Sequence, residues 1–238
     1  MFVPDSLRAH PTLVLGDGGS GKSEFLMSLA IQDLAKERTV LYFDGKVNRD
    51  HQDKLFFYAK WTRRSFWDWN LFANMPVAEL QDSPVGLVYF GGLATMPLLL
   101  KIDQIIWLAR QLRGNESTIR KITSIIIDEV PLAGGLSMAD IQTGDLLLAL
   151  STQSVADLKH GNPEFLRPPM NRVTFKPQDK QTTEWFFHDK LRSGSLDKSN
   201  GAMPGRSGQM LYLPPDSDGE PFFLTAPMWP NLDPSLKN

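Results

Sequence analysis

The segment Gly16-Asp17-Gly18-Gly19-Ser20-Gly21-Lys22-Ser23 satisfies the pattern Gly-x-x-x-x-Gly-Lys-[Ser/Thr]. Its flanks constrain the fold as much as the pattern does. The apolar run Thr12 to Leu15 precedes it, and Phe25, Leu26, Leu29 and Leu34 follow at helical spacing, so the opening of the chain reads strand, loop, helix. Glycines at Gly16, Gly18, Gly19 and Gly21 let successive backbone N–H groups turn inward around an anion, and the helix that starts at Lys22 adds its positive dipole end. The eight residues from Gly16 to Ser23 are thus expected to cradle the phosphates of ATP, with Asp17 and Ser20 completing the loop. Lys22 would reach the β- and γ-phosphates and Ser23 would offer a hydroxyl to Mg²⁺.

A second acidic motif answers the loop. Ser124-Ile125-Ile126-Ile127-Asp128-Glu129 is a β-branched apolar run that ends in two carboxylates. Asp128 is expected to hold Mg²⁺, and Glu129 to orient and deprotonate the attacking water. Leu146 to Leu150 is another buried-looking strand, running into Ser151-Thr152-Gln153, where Gln153 could lie beside the γ-phosphate. Read on spacing alone, that polar ending is a strand-terminal turn. Asp44-Gly45-Lys46 closes a strand from Thr39 to Phe43. Ligands of open parallel sheets bind outside the carboxyl ends of the strands, so these four segments are expected to converge on one edge.

The rest of the chain supplies elements around that edge. Asp50 reads as the N-cap of a helix with Leu55, Phe56 and Ala59 on one face, and Ser65 to Phe72 as an aromatic-rich strand. Leu98 to Arg113 carries an apolar stripe stopped by Gly114. Strands are expected at Lys121 to Ile127, Arg172 to Phe175, Met210 to Leu213 and Phe222 to Leu224, with a loop from Ser193 to Gly208 and a loose tail at 231–238. Gly86 to Leu100 is the longest weakly polar stretch, too short and too broken by Gly91, Gly92 and Pro97 to span a membrane. The absence of cysteine excludes disulfides and thiolate chemistry and fits a cytoplasmic setting. The four histidines show no metal-ligand spacing.

Taken together, these segments resemble the HerA/FtsK superfamily of RecA-like motor ATPases, and within it the TraG/TraD-type coupling proteins of conjugation and type IV secretion. The resemblance is carried by GDGGSGKS at Gly16 to Ser23, VLYFDGKVNRD at Val40 to Asp50, SIIIDEV, LLLALSTQSVADL at Leu146 to Leu158, and the run Asn171 to Trp185. It implies an α/β fold with a mainly parallel central sheet flanked by helices, spanning residues 1–230 as one nucleotide-binding domain. It also implies Walker roles for Lys22, Ser23, Asp128 and Glu129, and a γ-phosphate sensor role for Gln153. Its partners would be further copies of itself in a ring such as a hexamer, DNA or nucleoprotein cargo, and secretion or DNA-processing proteins.

Two departures accompany the resemblance. Only eleven residues precede the first strand, and 51–120 can hold only a reduced version of the family's helical insertion, which fits a reduced motor or one domain of a longer chain. No Arg or Lys lies between Pro131 and Ser151, where the family tends to place a finger reaching a neighbour's nucleotide; Arg110, Arg113, Arg167, Arg172 and Arg192 are the substitutes. Trp61, Phe66, Trp67 and Trp69 interleave with Arg63 and Arg64, either to stack single-stranded DNA or, as the simpler reading, as a satellite apolar cluster. A net charge of −2 excludes a uniformly basic nucleic-acid binder but not a motor with a local basic loop. The expected function is Mg-ATP-driven transfer of DNA or nucleoprotein. The alternatives are a HerA-like or phage-type packaging ATPase and a nucleotide-gated adaptor with little turnover.

Overall fold

The computed structural model describes residues 3–46, 48–68, 86–91, 123–129, 146–157, 170–175, 180–186, 209–215 and 222–225. In chain order these form α1 (Asp5–Arg8), β1 (Thr12–Leu15), α2 (Lys22–Ala35), β2 (Thr39–Asp44), α3 (Arg49–Trp61), β3 (Phe66–Asp68) and β4 (Leu87–Gly91). β5 (Thr123–Asp128), β6 (Leu146–Thr152), β7 (Asn171–Phe175), α4 (Lys180–Phe186), β8 (Gln209–Leu213) and β9 (Phe222–Thr225) follow.

The strands make one nine-stranded sheet in the order β3-β4-β2-β5-β6-β1-β7-β8-β9. All neighbours from β3 to β7 are parallel, while β8 and β9 return antiparallel at one edge. The strand that feeds the glycine loop, β1, lies between β6 and β7, and β6 separates it from β5. Register then fixes the height of the functional ends. Asp44 and Asp128 are partners across β2 and β5, and Leu15 is the partner of Thr152 across β1 and β6.

The inner strands are buried along their length rather than alternately, as a parallel sheet covered on both faces requires. One face, with Val14, Tyr42, Tyr89, Ile126, Ala149, Val173 and Tyr212, packs on α2 and α3. On the other face Phe43 stacks on Phe90 at 4.2 Å, and Leu211 and Leu213 meet Phe186 of α4. Helix α2 lies across β2, β5 and β6 and against α3, so it is buried on most of its circumference. That burial includes Asp33, whose carboxylate takes the Arg8 guanidinium at 2.5 Å and the Arg38 guanidinium at 2.9 Å. Such a buried acid persists only because it is paired. Through Arg8 it also fastens α1 to α2, helped by Gln32, whose side chain exchanges hydrogen bonds with the backbone of Val3.

Several expectations change in detail. The cap of α3 is Asn48, whose Oδ1 accepts the Asp50 N–H at 3.0 Å, and Asp50 already lies inside the first turn. The strand expected from Ser65 is described only at Phe66–Asp68, with 69–72 outside the described residues. Strand β4 was not expected at all, and β6 extends two residues beyond Leu150. Strands β3 and β4 fall in the interval 51–120 and continue the main sheet. The helix expected over Leu98 to Arg113 and the loop from Ser193 to Gly208 lie outside the described residues.

Arg38, with Lys36, holds the Asp5 carboxyl well below the usual carboxylate range. A depressed folded-state pKa contributes stability that is complete above the unfolded value, about 4, and is lost as pH falls toward the folded value. Because Asp5 is half exposed, Asp5→Asn is expected to cost no more than about 1 kcal/mol at neutral pH. In urea denaturation that difference from the wild type should shrink as the pH is taken below about 4.

Candidate active site

The carboxyl ends of β1, β2 and β5 open on a cleft of about 350 Å³, lined on one side by Gly19 to Glu24 and on the other by Asp44, Lys46, Asn48, His51, Asp128 and Glu129. The glycine loop takes its shape from backbone conformations that other residues resist. Gly19 and Gly21 have φ of 74° and 109°. At Gly16 and Gly21 a Cβ would also press on Phe175 of β7, at 2.9 and 3.0 Å, so the loop is seated directly on that ring. The Lys22 ammonium is buried and donates to the carbonyls of Gly16 at 2.6 Å and Asp17 at 2.8 Å, spanning the loop from inside. Burial pulls its pKa below the ordinary lysine value, against the opposing pull of Glu129 and Asp128.

Opposite the loop stand two buried carboxylates. Asp44 accepts the N–H groups of Lys46 at 3.0 Å and Asn48 at 2.9 Å and the Tyr89 hydroxyl at 2.8 Å, which folds the turn between β2 and α3 back over the strand end. Asp128 accepts the Ser151 hydroxyl at 2.6 Å, and the Ser23 hydroxyl lies on the same cleft beside it. Burial raises the Asp128 pKa and these hydroxyls oppose the rise. Glu129 follows in a left-handed conformation, φ 56°, with its carboxylate on the Lys46 ammonium. Gly45 sits beneath it. Its N–H donates to the Asp128 carbonyl at 3.1 Å, and a Cβ there would come 2.9 Å from the same carbonyl oxygen and 3.0 Å from that of Glu129.

The structure therefore brings Ser20, Lys22, Ser23, Asp128 and Glu129 to one cleft. Gly16 and Asp17 form the floor that holds Lys22, and Gly18 is exposed at the tip of the loop. Gln153 lies just past the end of β6, exposed, and is not among the residues lining this cleft. Arg172 is committed within the chain, donating to the Phe186 carbonyl at 3.1 Å and lying 4.7 Å over the Trp185 ring; the other four arginine candidates lie outside the described residues. Phe66 of the aromatic group packs on Phe56 and Tyr89, whereas Trp61 is 69% exposed. Tyr89, Asn48 and Ser151 are site residues that sequence reasoning missed. The one signal for Ser151 is its place at the polar end of an apolar run.

The donors suit Mg²⁺. Among the described residues no group of three or more His, Cys, Asp or Glu is placed to hold a metal ion. Mg²⁺ takes few protein ligands and completes its shell with water and phosphate oxygens, so the adjoining Ser23 hydroxyl and Asp128 carboxylate are the kind of partial oxygen set it uses.

Neither protein-family models nor curated proteins match this sequence. Solved structures do match its fold. The genome packaging NTPase B204 of Sulfolobus turreted icosahedral virus 2, in complex with AMP, superposes with a TM-score of 0.59 at 14% identity, over 93% of this chain and 99% of that one. The DNA-packaging ATPase B204 of Sulfolobus turreted icosahedral virus gives 0.57 at 13%, over 93% and 98%. The plasmid coupling protein TrwB, in complex with the non-hydrolysable GTP analogue GDPNP, gives 0.58 at 11%, over 98% and 89%. The nine-stranded α/β sheet thus has the fold of the RecA-like P-loop ATPases.

Two substitutions probe this geometry. Lys22→Ala removes the ammonium that the loop is built around and is expected to abolish ATP binding in calorimetry, with binding at wild-type affinity refuting the assignment. Gly45→Ala forces the Asp128–Glu129 turn aside and should cost about 1–3 kcal/mol in urea denaturation, the usual range for overpacking.

Proposed function

We propose that the protein is a Mg-ATP-hydrolysing motor that moves DNA. The observation that carries this is the pairing of a phosphate-cradling loop with a strand that ends in two acids of different surroundings. Asp128 is buried and held by hydroxyls beside Ser23, whereas Glu129 is half-buried at the rim of the cleft. The first arrangement suits a metal ligand and the second a base with access to water. Ser23 and Asp128 would hold Mg²⁺ there, and the ion would supply counter-charge for the charge that develops on transfer.

In this reading Gly16 to Ser23 bind ATP, Lys22 neutralises the β- and γ-phosphates, Glu129 takes the proton of the attacking water, and Gln153 senses the γ-phosphate from the end of β6. Further copies of the chain assemble as a ring around the cargo. Packaging of a genome is one setting for such a motor, supported by the likeness to the viral packaging NTPases. A second reading, transfer in conjugation or type IV secretion, rests on the segments Val40 to Asp50 and Leu146 to Leu158 and on the likeness to TrwB.

The test is the ATPase rate with and without duplex DNA, on the wild type and on Glu129→Gln, with the mass in solution. DNA is expected to raise the wild-type rate. Glu129→Gln should keep ATP affinity and lose on the order of 100-fold in kcat, the scale of a general base. Turnover that is slow and indifferent to DNA would favour a nucleotide-gated adaptor instead. ATP-driven displacement of a third strand from duplex DNA, with no relaxase present, would favour packaging over conjugation.

A further inference from the structure

We infer that Ser151 is the positioning residue for the catalytic carboxylate, linking β6 to Glu129 through the Glu129 main chain. The inference rests on the hydrolytic reading above. Ser151 is fully buried near the end of β6, between the strand of the glycine loop and the strand of the two acids. Its hydroxyl is used in both directions: the oxygen accepts the Glu129 N–H at 2.8 Å, and the proton is donated to Asp128 Oδ1 at 2.6 Å.

The first of these bonds has a specific task. Glu129 is not glycine, yet it holds φ at 56°, in the left-handed region that costs such a residue energy and persists only where its surroundings impose it. In that conformation the chain turns sharply after β5, and the Glu129 side chain projects into the cleft on the same side as Lys46. The Gly45 N–H grips the carbonyl just before the turn, at Asp128, and Ser151 grips the N–H of the turn residue itself. An alanine at 151 leaves that N–H without its partner and the turn held from one side only.

Because the proton goes to Asp128, the hydroxyl is oriented and its lone pairs face Glu129. One side chain on β6 thus sets the placement of both acids. It stands two residues before Gln153, so a displacement of the β6 end on contact with the γ-phosphate would reach Glu129 through a single hydrogen bond.

The experiment compares wild type, Ser151→Ala, Ser151→Thr, Glu129→Gln and the Ser151→Ala/Glu129→Gln double variant, reading kcat, ATP affinity by calorimetry, and thermal midpoint. Ser151→Ala is expected to lose on the order of tenfold in kcat while ATP affinity stays within about twofold, because the loop that binds phosphate is untouched. Ser151→Thr keeps the hydroxyl and should recover most of that loss. In the Glu129→Gln background the Ser151→Ala loss should shrink to the part that runs through Asp128, since positioning Glu129 counts for nothing once its carboxylate is gone. Wild-type kcat in Ser151→Ala, or an undiminished loss in the Glu129→Gln background, overturns the positioning role. Full turnover in Glu129→Gln would instead overturn the hydrolytic reading on which it stands.

Discussion

Two carboxylates, Asp44 and Asp128, are buried at partner positions on adjacent parallel strands, and the site depends on how that charge is held. Burial of a carboxylate is costly unless hydrogen bonds or counter-charge compensate it. Here the compensation is made of weak donors. Asp44 takes two backbone N–H groups and a tyrosine hydroxyl, and Asp128 takes the Ser151 hydroxyl. Hydroxyl and amide donors orient a carboxylate without neutralising it, which leaves negative potential directed into the cleft. Lys22 enters from the other wall as a desolvated ammonium. A ligand that combines polyanionic phosphate with a divalent cation satisfies both walls together.

The same constraint explains the supporting structure. To receive the N–H groups of Lys46 and Asn48, Asp44 must have the chain turn immediately after β2, and that turn sets the start of α3 and places His51 and Lys46 on the cleft. Tyr89 reaches Asp44 from β4, so the strand beyond β2 contributes to the site without approaching nucleotide. Phe175, on the far side of β1, supports the glycine loop from beneath. Residues from three strands therefore act on one turn and one loop. That convergence is available only where parallel strands end at one edge.

What could be read from the sequence follows the distance over which each signal acts. The glycine loop, the Asp128–Glu129 pair and the strands that carry them are local patterns, and each stands where it was expected. Asn48 in place of Asp50 as the cap is a choice between two capping residues on either side of Arg49, decided by the Asp44 carboxylate that anchors Asn48. β4 escaped notice because Leu87 to Gly91 lies within a longer weakly polar stretch with no alternation to mark where a strand ends. The Lys46–Glu129 pair and the Ser151 bonds join residues far apart in the chain, and their existence depends on strand order, which no local pattern encodes.

Glu129 is held at two points of opposite consequence. Its main chain is bonded by Ser151, which fixes where the side chain starts, while its carboxylate is engaged by Lys46, which fixes where the side chain ends. Lys46 is exposed and sits on the turn that Asp44 shapes, so its ammonium can leave the carboxylate for water. Ser151 is fully buried, and its bond persists while the carboxylate changes partner. The arrangement thus treats the two ends of the residue differently, with the rigid contact made to the backbone by a core strand and the exchangeable contact made to the carboxylate by a surface turn.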